Sequence, residues 1–117
     1  MARAATTADA FNAVGDPTRR AILDALAARE RSVAELAAAL EAPQPQVSKH
    51  LGVLRRVDLV TWRRAGRQRL YRIDRAGLRP LQSWLGDLTE QVNAHYDRLD
   101  DYLQQMGADE DAAQTEE

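Results

Sequence analysis

Near the C-terminal end of the sequence, nine residues keep one unbroken rhythm. Leu78, Leu81, Leu85, Leu88, Val92, His95, Leu99, Tyr102 and Met106 step by alternating intervals of 3 and 4. That is an a/d seam over about four heptads, the pattern of a helix that buries one stripe against a partner. Trp84, Tyr96 and Leu103 widen the stripe. The spacing predicts a helix over 76–106, with Pro80 expected to delay or kink its start. A chain of 117 residues is expected to form one domain with a modest core, here over 1–106. Such a chain covers part of the seam, and a second subunit covers the rest, helped by the helix around Phe11. The candidate interface residues are Phe11, Leu81, Leu85, Leu88, Val92, His95, Leu99 and Tyr102. The last segment, "GADEDAAQTEE" at 107–117, is acidic and is expected to be structureless.

The upstream chain reads as four helices and a hairpin. "TADAFNAVG" has Ala10, Phe11 and Val14 at helical spacing, then Gly15 as a stop. "DPTRRAILDALAAR" opens with Asp16 as N-cap and Pro17 at the first helical position, with Ile22, Leu23 and Leu26 as its buried stripe. "SVAELAAAL" sets Ser32 and Glu35 at capping-box spacing, with Val33, Leu36 and Leu40 inward. After "APQP" a fourth helix is expected over 44–56. Beyond Leu59 the period shortens to that of strands. "LVTWRR" and "RQRLYRID" flank "AG", a tight-turn signal, so a hairpin is expected over 60–74. Arg69, Tyr71 and Ile73 share one face of its second strand. The fold class expected is mainly α with a small β-hairpin, a winged helix-turn-helix with long N- and C-terminal dimerisation helices. A helical bundle with an incidental hairpin is the alternative.

Whole-chain charge hides a strong asymmetry. The net charge is −2, yet residues 49–79 hold 10 basic and 2 acidic side chains, net +8. A local excess of this size is an electrostatic footprint. On the fourth helix Val47, Leu51 and Leu54 lie within about 40° of one another and face inward. Gln46, Ser48 and Lys49 are left outside. Gln pairs bidentately with adenine, Ser with several bases, and Lys with guanine or phosphate. His50 borders the core. Gly52 leaves room for a backbone to approach. Arg63, Arg64, Arg67 and Arg69 surround the hairpin turn, where an arginine-tipped ribbon can enter a minor groove or grip phosphates. Trp62 is expected to pack against the sheet. The pattern points to double-stranded DNA as the partner.

"FNAVGDPTRRAILDAL", "SVAELAAAL", "PQVSKHLGVLRRVDLV" and "RRAGRQRLYRID" resemble, in order and spacing, the ArsR-type winged-helix transcriptional repressors. The resemblance covers about Thr7 to Leu103. It implies a homodimer on an operator, with Gln44, Gln46, Ser48, Lys49, His50 and Arg55 in or along the major groove. It implies a wing at about Arg63 to Arg69, and dimerisation through the first and last helices. Asp58 stands where the family usually has Gly, and Asp tolerates the left-handed conformation this turn needs.

Other functions are weighed against this one. The sequence has no Cys, which removes disulfides and the thiolate metal sites of many relatives. His95 with Asp97, Asp100 or Asp101 makes a poor zinc site, because zinc favours several His or Cys ligands. No metal and no cofactor are expected, and the resemblance is to members without a recognised metal site. A metal-responsive repressor of the same fold is the alternative, as is a winged-helix interaction module that leaves DNA alone. No Gly-rich phosphate loop and no second His beside a nucleophile is present, so the chain is not read as an enzyme. No membrane span and no signal peptide are read, which makes the cytoplasm the expected compartment. The operator and the effector are not written in the sequence.

Overall fold

A computed structural model of the chain describes residues 9–115. The elements run α1 (Ala10–Ala13), α2 (Pro17–Ala28), α3 (Val33–Leu40), α4 (Gln44–Arg56), β1 (Val60–Ala65), β2 (Gln68–Ile73) and α5 (Arg75–Thr115). Where one domain is expected over 1–106, the chain divides into two compact units, with the boundary between Leu81 and Gln82 inside α5.

In the first unit, capping residues set the helix starts. Asp9 caps α1, accepting from the Asn12 N–H. The helix closes by Val14, just ahead of the stop expected at Gly15. The preceding residues 1–8 lie outside the described part. Asp16 caps α2 through the Arg19 N–H at 3.0 Å, with Pro17 in the first turn. Ser32 and Glu35 form the capping box of α3, at 3.2 and 3.1 Å.

Helix ends explain two acidic residues in unusual conformations. Glu41 has φ 53° and Asp58 has φ 60°. Around Glu41, Ala42 N–H donates to Ala37 O and Glu41 N–H to Ala38 O. Around Asp58, Leu59 N–H donates to Leu54 O and Asp58 N–H to Arg55 O. Both are Schellman endings, a geometry that ordinarily uses Gly at the left-handed position. Asp58 thus adopts the conformation its place in the sequence demands.

The core gathers Ile22, Leu26, Leu36, Val47, Leu51, Leu54, Leu59, Val60 and Tyr71, all buried, with Leu23, Val33, Leu40, Leu78 and Leu81 packed against it. The strands pair antiparallel from Val60↔Ile73 to Ala65↔Gln68. The turn residues are Gly66 and Arg67, one place later than the expected "AG". Only Gly66 takes positive φ, at 63°, as a turn with Gly first requires. Arg31 adds a short third edge, exchanging two hydrogen bonds with Tyr71 at 3.1 and 2.8 Å.

The second unit is the helical chain from Gln82. Pro80, just before it, lies within α5 and does not end the helix. The helix runs on to Thr115, past the Met106 at which it is expected to stop. The acidic segment also holds three Ala, and a helix already nucleated extends through such residues at one hydrogen bond each. Residues 116–117 lie outside the described part.

Candidate nucleic-acid interface

The fourth helix sorts its side chains as its periodicity predicts. Val47, Leu51 and Leu54 are buried, at 0%, 1% and 0% exposure. Gln44, Gln46, Ser48, Lys49, Arg55 and Arg56 are exposed. A methyl group at Gly52 would meet nothing within 4 Å, so this side of the helix is open. Ser48 lines a cleft of about 340 Å³ together with Arg67, Gln68 and Arg69, which brings the helix and the wing to one site. Gln46 borders a second cleft with Thr18 and Leu40.

His50 sits differently from its neighbours. It is half-buried, and Arg19 Nη1 lies 3.4 Å from its Nδ1. A guanidinium has only donors, so in this contact Nδ1 is the atom placed to accept. The same Arg19 donates from Nε to Ala13 O at 2.7 Å. It thereby joins the end of α1 to α4.

Two arginines of the wing and one of α4 have partners already. Arg63 makes a paired contact with Glu30, Nε to Oε2 at 2.9 Å and Nη2 to Oε1 at 3.2 Å. That hydrogen-bonded guanidinium holds the Glu30 carboxyl below its usual value, and Glu30 raises Arg63 in return. Arg55 and Arg69 lie over the Trp62 ring, with Cζ 4.9 and 4.2 Å from its centroid. Trp62 itself packs against the core, as expected. Arg64 stands opposite Arg69 in the ladder, and Arg67 occupies the turn. Both are exposed. Glu30 and Arg19 carried no local signal in the sequence; Glu30 lies 33 residues from the arginine it holds.

The second unit carries the expected stripe in the open. Leu85 is 56% exposed, Leu88 41%, Val92 42%, Leu99 42% and Tyr102 60%. His95 is exposed and its ring meets Tyr96 edge to face at 5.6 Å. In the first unit Phe11 is exposed, while Leu81 is half-buried against the core. Among the described residues, no three His, Cys, Asp or Glu side chains are grouped to hold a metal. No helix among them is long and apolar enough to cross a membrane.

Known proteins share this arrangement. Residues 14–62 match a family model described as a helix-turn-helix domain. The HTH-type transcriptional regulator Rv2034 of Mycobacterium tuberculosis is 40% identical over 92 residues, 79% of this chain and 86% of that protein. Shorter matches to repressors named SmtB span about half the length of those proteins. A crystal structure of an ArsR family transcriptional regulator superposes with a TM-score of 0.63 at 30% identity, covering 72% of this chain and 87% of that one. The solution structure of a homodimeric winged helix-turn-helix DNA-binding domain from Mycobacterium bovis, a possible ArsR-family regulator, gives 0.57 at 29% identity, covering 74% and 80%. With its buried α4 stripe, its arginine wing and these relatives, the chain belongs to the ArsR family of winged helix-turn-helix transcriptional regulators.

Proposed function

We infer that this regulator represses transcription as a symmetric homodimer, laying one α4 in each half of a near-palindromic operator. One observation carries the reading. The outward side chains of α4 and the arginines of the wing border the same cleft, through Ser48, Arg67 and Arg69. Gln44, Gln46, Ser48 and Lys49 read base edges in the major groove. Arg55, Arg64, Arg67 and Arg69 grip phosphates or the minor groove, and Arg63 joins them once Glu30 gives way. His50 steadies the reading helix from behind through Arg19. The action is binding, without catalysis, cofactor or metal, and it takes place in the cytoplasm where the operator is.

The dimer follows from the α5 stripe, whose large apolar side chains stand 41% to 60% exposed. A contiguous apolar patch of that kind marks an association surface. A second copy covers it, with Phe11 contributing from α1. Two-fold symmetry then sets the reading helices about 34 Å apart, one turn of DNA.

Light scattering and footprinting on the region upstream of the chain's own coding sequence test this together. The expected results are a dimer mass, a protected two-fold site, steep salt dependence and no change with a chelator. Leu88→Asp should abolish both dimer and footprint, since a lone carboxylate does not tolerate burial at the interface. A monomer at micromolar concentration that still protects its site would refute the dimer. Duplex affinity indifferent to salt would refute the DNA reading.

A further inference from the structure

Trp62 stands on β1 opposite Tyr71, half-buried and packed against the core. Two guanidinium groups lie over its ring. Arg55 Cζ, from the last turn of α4, is 4.9 Å from the centroid. Arg69 Cζ, from β2, is 4.2 Å from it. Both fall inside the range of about 6 Å at which a cation is drawn to an aromatic face, and Trp offers the strongest face of the three aromatic residues. The two cations therefore lie no more than about 9 Å apart, although like charges repel. Among the described residues neither is in an ion pair; the acidic partners go to Arg29 and Arg63. The indole N–H is buried and has no acceptor among the described residues. The side chain contributes its face here, and its donor is left idle.

We propose that Trp62 is a positioning residue for DNA binding, holding one arginine of the reading helix and one of the wing as a fixed pair. This rests on the DNA-binding reading above. A long side chain loses rotamer freedom when it meets a phosphate, and that loss weakens binding. Trp62 imposes most of the loss during folding, so less remains at the moment of contact. The ring also links α4 to the wing, so the two elements approach the duplex in one register. Trp62 carries no charge, so it does not alter how many phosphates the protein neutralises. Its removal should change affinity without changing the salt slope, which counts those phosphates.

The test uses the full chain and a labelled duplex that the protein selects from a randomised pool, titrated across salt concentrations. Trp62→Leu should weaken binding about tenfold, the ordering loss of two long side chains, with the slope of log affinity against log salt unchanged. Trp62→Phe should restore most of the affinity. Arg55→Ala and Arg69→Ala should each lower the slope by about one. In either background Trp62→Leu should cost much less than in the wild type, because one of its two clients is gone. A purely structural role for Trp62 gives equal losses in all backgrounds and overturns the proposal. So does unchanged or tighter binding by Trp62→Leu. If Trp62→Leu does not fold, Arg69→Lys decides. It keeps the charge and gives up the planar stack, so affinity should fall at constant slope, and wild-type affinity refutes the pairing. Wild-type protein that selects no duplex at all fails the DNA reading instead, and is recognised as such before any variant is compared.

Discussion

Gly77→Ala should destabilise the protein, and Gly86→Ala on the same helix should not. A methyl group built on Gly77 would meet Asp58 C at 2.6 Å and Leu59 N at 2.7 Å, as well as the Asp58 carbonyl oxygen. These are backbone atoms of the turn that ends α4, and they cannot swing aside as a side-chain tip would. Overpacking of this kind costs about 1–3 kcal/mol, with fixed backbone at the upper end. Any shift that relieves it stretches the hydrogen bond from Gly77 N–H to Asp58 O, now 2.9 Å, a contribution of about 1 kcal/mol. Against this, Ala is about 1 kcal/mol better than Gly inside a helix. The clash wins by about 2–3 kcal/mol. At Gly86 the new methyl meets nothing within 4 Å, so only the helix preference acts, and stability should rise by up to about 1 kcal/mol. Urea unfolding followed by far-ultraviolet circular dichroism measures both. Protein concentration must be held fixed, because association contributes to apparent stability. With a slope of 1–3 kcal/mol per molar typical of small domains, the Gly77→Ala midpoint should fall by about 1–2 M. A midpoint at or above wild type for Gly77→Ala would show that the start of α5 does not rest on the Asp58 turn. The two variants shifting together would show that helix preference alone decides.

Further outcomes follow from other contacts. Asp58→Gly should raise stability by about 0.5–1 kcal/mol, since Gly takes φ 60° without strain; a lower thermal midpoint would count against this. Glu30→Gln should free Arg63 and steepen the salt slope of duplex binding by about one; an unchanged slope would place Arg63 away from DNA. Asp16, Glu30 and Glu35 all have carboxyls held below their ordinary values, by the Arg19 N–H, by Arg63, and by the Ser32 N–H with Arg29. Their stabilisation is complete above the unfolded-state values near about 4 and fades as pH falls through the lower folded ones, so urea midpoints should decline there. A midpoint constant down to pH 2 would contradict it. Gln46→Ala should cost about 1–3 kcal/mol on the selected duplex and relax preference at one position, whereas Arg67→Ala should weaken selected and random duplexes alike. Competition binding separates them, and identical profiles would reverse the assignment.

Local rules carried much of the fold. A helix expected over 44–56 spans Gln44–Arg56, because Val47, Leu51 and Leu54 fix the inward face. The caps at Asp16 and Ser32 and the left-handed Asp58 depend on residues within a few places of one another, and such signals survive in a bare sequence. The contacts that shape the candidate site do not. Glu30 reaches Arg63, Arg19 reaches His50, and Trp62 gathers Arg55 and Arg69 only once helices and hairpin have packed. Five arginines in 63–72 look interchangeable in sequence. In space one is paired with a carboxylate, one is stacked on an indole, and one sits at a turn. The extension of α5 to Thr115 escaped for another reason. Helix length depends on nucleation and capping more than on the apolar rhythm that announces a helix.

The two hydrogen bonds between Arg31 and Tyr71 make the hairpin a cantilever. Its root is clamped on both sides, by Arg31 at Tyr71 and by the Asp74 N–H on Leu59 O at 2.9 Å. Its tip, from Arg64 to Gln68, projects beyond those clamps and beyond Arg63, which Glu30 holds, and Arg69, which stacks on Trp62. A two-stranded ribbon fixed in this way bends most at the end and least at the base. In the proposed complex Arg64 and Arg67 at the tip would therefore follow grooves of different width while the core beneath them stays still. In the proposed complex with DNA, compliance at the wing tip and stiffness at α4 would divide the labour of contact: one element would adapt to the shape of the duplex, and the other would hold a fixed register against its bases.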